Sequence, residues 1–578
     1  MRARFVLAFA GLALAACKSA PSKDELEKLR AETEKHADAA PGHEIVLLRS
    51  QHTGPAVARG DSGSARYSAK LYGTFDAAHA LALTEFADGF YREPANEGYE
   101  KVLDRLEAEL RGAGYGAHDG LTLNVMRTPR KDPAWTPLSA RLALHTASGE
   151  TVLAEFRAPA DPARTMLPRN APSAHVTGTL ALALTDVRAG DVLVLDESPS
   201  SEVLADAHTR GAVLVLAAGL ASYNVDPTGA ERHLDAIPYG SVRVPSPLPV
   251  ARISPRTYTA LAQARRESDS ARVTFDAEVR CEERELRTLV ATITGAARPT
   301  EAVVVAAHVQ EPGACDNASG LAGACEVALG IARALRAGEL ERPVRSLVFV
   351  WGEEHAQSRL FLAETPLDVI AGISADMLGE SSTATGAVAL LERLPDPGAV
   401  KTLPPDVHTA WGAREVRADE LPAGGLATIA RCALLDVAAL DGAWKTSEHP
   451  FEGGSDHDEF LKRGIPGVLF WHFPDFAYHT SLDRLAHVDG EELRRMATVV
   501  GACALAVADA QPRDLDRYLA SLRLEVDLRC AAARAAEDEE LVTQWRTWGT
   551  NARQWLRHLC LPRLAEPAST PEPQPPAH

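Results

Sequence analysis

The stretch Ala302–Gly320, AVVVAAHVQEPGACDNASG, constrains this chain more than any other. An apolar run, Val303 to Ala307, stops abruptly at His308. A Pro-Gly turn follows, and Asp316-Asn317-Ala318-Ser319-Gly320 opens a long alanine-rich helical segment. So apolar a run reads as a buried strand of an open α/β sheet, and such sheets collect ligands at the C-terminal ends of their strands. Here that end bears an imidazole, with a carboxylate eight residues further on. Taken alone, the stretch suits equally well a plain strand–turn–helix with Asp316 or Ser319 as N-cap.

Three later segments repeat the pattern. Arg345–Trp351 reads as a strand ending in Gly352-Glu353-Glu354, and Ile370–Ala375 as one ending in Asp376-Met377. Gly467–Trp471 is a third, with Tyr478-His479-Thr480 in the loop beyond. Two histidines and several acids at strand ends suit a divalent metal, and mixed nitrogen and carboxylate ligation suits zinc best. Adjacent glutamates in a strand face opposite ways, so Glu353 and Glu354 can serve one site only from a loop, where Gly352 places them.

These pieces, with Gly313-Ala314-Cys315 before Asp316, Asp376-Met377-Leu378-Gly379 and Gly454-Ser455-Asp456-His457, occur in an order and at a spacing that resemble the di-zinc aminopeptidase and glutamate-carboxypeptidase-like metallopeptidases. The resemblance implies a twisted mixed β-sheet flanked by helices, with an inserted β-rich protease-associated domain. It implies two Zn2+ ions: Asp316 bridging both, His308 and Asp376 completing one, Glu354 and His479 the other. Glu353 would then be the general base and Tyr478 a donor to the oxyanion. Cys315 reads as packing, and Asn317 as the residue that fixes the turn after the bridging acid. Ser455 or Asp456 reads as the N-cap of a following short helix. One position departs from the family, whose relatives carry His-x-Asp where this chain has His308-Val309-Gln310. Gln310 is expected to accept the imidazole N–H through its amide oxygen without charge, weakening metal at that ion.

Residues 1–16 have the arginines, apolar run and small-residue ending of a secretory signal, and Leu14-Ala15-Ala16-Cys17 resembles a bacterial lipobox. Cys17 would bear a lipid and tie the protein to the cell envelope, at the outer membrane by the default that Lys18 implies. Residues 17–42 form a polar tether, 43–118 the first part of the catalytic domain, and 119–283 the protease-associated-like insertion. Residues 284–510 complete the zinc peptidase, 511–564 are helical with Trp545, Trp548 and Trp555 as packing anchors, and 565–578 are a Pro-rich tail.

The formal charge is −19, and loss of Arg2 and Arg4 with the leader makes it more negative, which argues against nucleic acid or an anionic membrane surface as a partner. Of the eight cysteines, setting Cys17 aside leaves an odd number, so no complete disulfide framework exists; Cys530 and Cys560 are the pair placed to join. The expected function is hydrolysis of N-terminal residues from peptides. The alternatives are a carboxypeptidase, which needs a basic pocket, a glutaminyl cyclase on the same fold, and a peptide-binding protein with weak catalysis.

Overall fold

The computed structural model describes residues 61–157, 161, 163–243, 246–440 and 444–560. The expected signal peptide, the lipid-bearing Cys17, the tether and the Pro-rich tail lie outside the described residues.

Three helices come first: α1 (Ala65–Thr74), α2 (Ala77–Asp88) and α3 (Glu97–Gly112). The last two begin on side-chain caps, with Asp76 accepting from the His79 N–H and Asn96 from the Tyr99 N–H. Strand β1 (Leu121–Thr128) follows. The chain then builds a separate sheet from β2 (Ala134–Thr146), β3 (Gly149–Arg157), β4 (Ala174–Ala181), β5 (Val192–Leu195), β6 (Leu214–Ala217), β7 (Val250–Arg252) and β8 (Arg272–Glu282). Its order is β3-β2-β8-β4-β5-β6-β7, and it shares one apolar core with α4 (Ser201–Thr209) and α5 (Pro255–Glu267).

The main sheet resumes with β9 (Leu286–Ile293), β10 (Arg298–His308), β11 (Arg345–Gly352), β12 (Asp368–Ala375), β13 (Val388–Glu392), β14 (Thr446–His449) and β15 (Gly467–Phe473). The order is β1-β9-β11-β10-β12-β15-β13-β14. The central strands β11, β10, β12 and β15 run parallel, and β1, β9 and β13 are antiparallel to their neighbours towards the centre. The sheet is therefore mixed, as expected. The start of the insertion is corrected, because β1 lies within the span assigned to the inserted unit, 119–283, yet pairs along its whole length with β9 of the main sheet. The second sheet begins only at β2.

Strand β10 shows why its sequence lacks a polar face. Val303, Val305 and Ala307 enter the large core under α6 (Ala318–Arg336) and α9 (Gly490–Ala508), while Ala302, Val304 and Ala306 face a smaller core with Phe361 of α7 (Ala356–Glu364) and Phe460. Alternate residues meet two different cores, so both faces are apolar. Helix α6 is long and apolar enough to cross a membrane by composition, but it is largely buried in this core.

Helix α8 (Leu426–Ala438) and the terminal pair α10 (Leu515–Ala535) and α11 (Glu539–Cys560) close the same core, with Trp545 and Trp548 buried and Trp555 packed against them. A buried ion network fastens them: Arg431 binds Glu448 and Glu525 at 2.6 and 2.7 Å, and Arg393 binds Asp396, Asp406 and Glu448. The expected Cys530–Cys560 pairing does not occur. Both thiols are free, and Cys530 Sγ instead lies 3.7 Å from the Val542 carbonyl.

Candidate metal centre

The ends of β10, β11, β12 and the loop after β15 converge, bringing His308, Asp316, Glu354, Asp376 and His479 together. His308 Nε2 lies 3.2 Å from Asp376 Oδ1, 3.5 Å from Asp316 Oδ1 and 3.9 Å from Glu354 Oε1. His479 Nε2 lies 3.0 Å from Asp316 Oδ2, so the two oxygens of Asp316 face two different imidazoles. His308 Nε2 and Asp376 Oδ1 are buried and make no hydrogen bond. Unpartnered buried polar atoms of this kind are costly unless something else binds them. Ligands about 2.1 Å from a tetrahedral zinc lie about 3.4 Å apart. The spacings around His308 match that figure, so these residues fit zinc.

Several neighbours hold the ligands in place. The Nδ1–H of His308 donates to the carbonyl oxygen of Gln310, which turns the Nε2 lone pair toward the site. The expectation that the Gln310 side chain plays this part is therefore corrected: its Oε1 accepts the Glu354 N–H at 2.7 Å and fixes the loop after β11. Ser455 Oγ donates to Asp376 Oδ2 at 2.8 Å. Asp456 accepts from the His355 N–H, Gln357 Nε2 and Ser358 Oγ, anchoring the start of α7 just behind the two glutamates. The helix His457–Leu461 has no side-chain cap, so the N-cap reading of Ser455 or Asp456 is replaced by these contacts.

Asn317 accepts from the Gly320 and Met377 N–H groups and donates to the Ala375 carbonyl, joining the turn after Asp316 to the end of β12. A side chain at Gly320 would collide with Asn317 Oδ1 and the Ala375 carbonyl, and one at Gly313 with Asp483. Met377 and His479 sit at φ 50° and 52°, a left-handed conformation uncommon outside glycine that tends to mark functional positions. Cys315 faces Glu380 and Asp475 rather than the ligand cluster; burial and neighbouring acids raise its pKa well above the usual range, keeping it a thiol.

Other contributors were invisible in the sequence because they arrive from distant segments. Asp483 accepts from the backbone N–H of Cys315 and Asp316 at 2.6 and 3.0 Å. Arg92 is wholly buried and donates to the carbonyls of Val309 and Gly313. From the inserted unit, Tyr239 N–H donates to the His479 carbonyl at 2.7 Å, and Asn224 to those of Phe476 and Tyr478. The insertion thus positions the loop that carries the last histidine. Its Arg169, with Arg130 from the β1–β2 connection, forms ion pairs with Glu353 at 3.4 and 2.9 Å. The Tyr478 ring stacks on His479, centroids 3.9 Å apart, and packs against Tyr223 and Phe473.

The ligand pairing differs from the expectation in one respect. Glu354 groups with His308 and Asp376, whereas the third member of the group with Asp316 and His479 is Glu311. Glu311 Oε2 lies 2.7 Å from His479 Nε2. Its signal in the sequence is an acid between His308 and Asp316.

Residues 288–392 and 435–504 match the model of peptidase family M28. The fold is similar to that of a peptidase M28 precursor from Shewanella amazonensis SB2B, at 15% identity and a TM-score of 0.52, covering 77% of this chain and 96% of that one. A zinc aminopeptidase from Bacillus subtilis (16%, TM-score 0.48, covering 74% and 94%) and an aminopeptidase from Aneurinibacillus sp. strain AM-1 (18%, TM-score 0.45, covering 75% and 95%) are also similar. Identities this low speak to the fold alone, and only the first similarity is strong enough to argue from. No curated protein matches the sequence. The two matched stretches contain all five expected ligands and Glu353, so the similarity to this metallopeptidase family covers the part of the chain that carries the site.

Proposed function

We propose that this protein is a di-zinc exopeptidase, an aminopeptidase, held at the cell envelope by a lipid on Cys17, with an inserted domain of the protease-associated type. The observation that supports the chemistry is the set of convergent nitrogen and carboxylate ligand atoms with buried, unpartnered lone pairs. When bound, two zinc ions would polarise the scissile carbonyl and activate water. His308, Asp376 and Glu354 would hold one ion, Asp316 would reach both, and His479 the other. Glu353, partly exposed beside the cluster and held by two guanidiniums, would take the proton and deliver it to the leaving amine. Tyr478, whose ring stacks on His479, carries the phenol that would donate to the oxyanion.

The acids around the site favour a substrate's α-ammonium, which supports the aminopeptidase. A second reading, a carboxypeptidase, is favoured by Arg130 and Arg169: two guanidiniums beside Glu353 could engage a terminal carboxylate. A panel of amino-blocked and carboxyl-blocked dipeptides, with zinc measured on the same sample, separates the readings. Loss of cleavage on blocking the amine supports the aminopeptidase; loss on blocking the carboxylate selects the carboxypeptidase. Protein that holds no metal under zinc-replete conditions sinks both.

A further inference from the structure

We infer that Glu311 is a metal ligand, holding one ion together with Asp316 and His479, while Glu354 belongs with His308 and Asp376; this rests on the metallopeptidase reading above. Ligand atoms of Glu311, Asp316 and His479 lie within 4.8 Å of one another, as do those of His308, Glu354 and Asp376. The Glu311 side chain is 15% exposed, and its Oε2 makes no hydrogen bond of acceptable geometry although it lies 2.7 Å from His479 Nε2. No lysine or arginine forms an ion pair with it among the described residues. Its close partner is the His479 imidazole, which balances the carboxylate only when protonated, a form in which Nε2 has no lone pair for a metal.

An ion between Glu311 and His479 resolves this. It would widen their separation from 2.7 Å to about 3.4 Å, a small movement for a glutamate on a loop. Charge agrees: Glu311, Asp316, Glu354 and Asp376 bring four negative charges, which two divalent ions balance. One ion then has His308 with two unshared carboxylates and the other His479 with one, and Asp316 lies between them. If Glu311 were not a ligand, its carboxylate would remain in contact with the imidazole nitrogen that binds the ion.

The test is zinc titration of the full chain against a chromophoric chelator, with bound metal counted by mass spectrometry, for wild type, Glu311→Gln, Glu311→Asp, His308→Ala, His479→Ala and the two double variants. Glu311→Gln should keep one ion and lose affinity for the other by at least ~10–100-fold, the loss typical even of groups that merely support a ligand. Glu311→Asp, which keeps the charge, should recover part of it. Adding His479→Ala to Glu311→Gln should cost no further ion, whereas adding His308→Ala should remove both. Two ions bound with wild-type affinity in Glu311→Gln would overturn the inference and leave the metallopeptidase reading intact. A wild-type protein that binds no zinc overturns both. Matching melting curves of the chelated proteins guard against a folding defect.

Discussion

Two of the histidine–carboxylate clusters among the described residues of the main sheet differ in one property. In the first, Glu392, His449 and Glu452 are as buried and as close together as any metal site. Yet His449 Nδ1–H donates to the Pro450 carbonyl while its Nε2 accepts from Trp471 Nε1 at 2.9 Å. Glu452 accepts from the Thr409 N–H and hydroxyl, and Glu392 Oε1 from His457 and the Gly453 N–H. Of these three residues' polar side-chain atoms only Glu392 Oε2 lacks a hydrogen bond. In the second cluster His308 Nε2, Asp376 Oδ1 and Glu311 Oε2 are buried with no hydrogen bond. The two clusters are alike in composition and proximity, and what separates them is how many of their ligand atoms lack a hydrogen bond.

The sharpest way to break this contrast is to remove the central acid of each. Asp316→Ala should strip both zinc ions and reduce turnover to background, because its two oxygens face both imidazoles. Glu452→Gln should leave zinc content unchanged. Glu353→Gln completes the series: metal stays, and turnover falls by roughly 10²–10⁴-fold, the usual contribution of a positioned acid–base group. Metal analysis and steady-state kinetics on the three variants decide it, and near-normal turnover in Glu353→Gln would remove Glu353 as the base.

What the sequence could reveal follows from how each residue is delivered. His308, Glu354 and Asp376 stand where apolar strands stop, so periodicity finds them, and the helix after Asp316 marks the bridging acid. The packing roles of Trp545 and Trp548 were legible for the same reason, as apolar positions on amphipathic helices. Arg92, Arg130, Arg169 and Asp483 were not. Each reaches the site through a tertiary contact from a distant segment and is, in the sequence, one charged residue among many. The boundary of the insertion failed likewise, because β1 looks like any short strand until its pairing with β9 is known.

The satisfied cluster makes the converse prediction. His449→Ala orphans the Trp471 N–H in a buried place and opens a cavity, so stability should fall by about 1–3 kcal/mol from the lost hydrogen bond alone. Thermal melting should shift down while zinc stoichiometry remains that of wild type. Loss of zinc from His449→Ala at temperatures where it is folded would mean that the two clusters are not independent.

Acid should weaken the ligand cluster specifically. Burial, then the neighbouring Glu311, pushes the Asp316 pKa up to about 7. An ion binds the carboxylate only after that proton leaves. His308, His479 and Glu354 are shifted upward as well, so zinc affinity should fall as the pH is lowered across the whole range, by about tenfold per pH unit for each proton displaced. Competition with a chelator of known proton affinity, from pH 5.5 to 8.5, reads the slope; an affinity independent of pH across that range would contradict the assignment.

The smallest effect is expected at Gln310. Were its side chain the partner of His308, Gln310→Asp would supply a charged acceptor and tighten zinc. The Gln310 carbonyl already fills that role, and a backbone carbonyl is unchanged by the substitution. What the substitution removes is the amide oxygen that accepts the Glu354 N–H at 2.7 Å, since aspartate is one methylene shorter. Losing one such hydrogen bond costs about 0.5–1.5 kcal/mol, so zinc affinity at the Glu354 ion should weaken by less than about fifteenfold. Gln310→Glu, which restores the reach, should sit closer to wild type than Gln310→Asp. Zinc titration of the two variants gives the order, and tighter binding in Gln310→Asp would show that the side chain, not the carbonyl, supports His308.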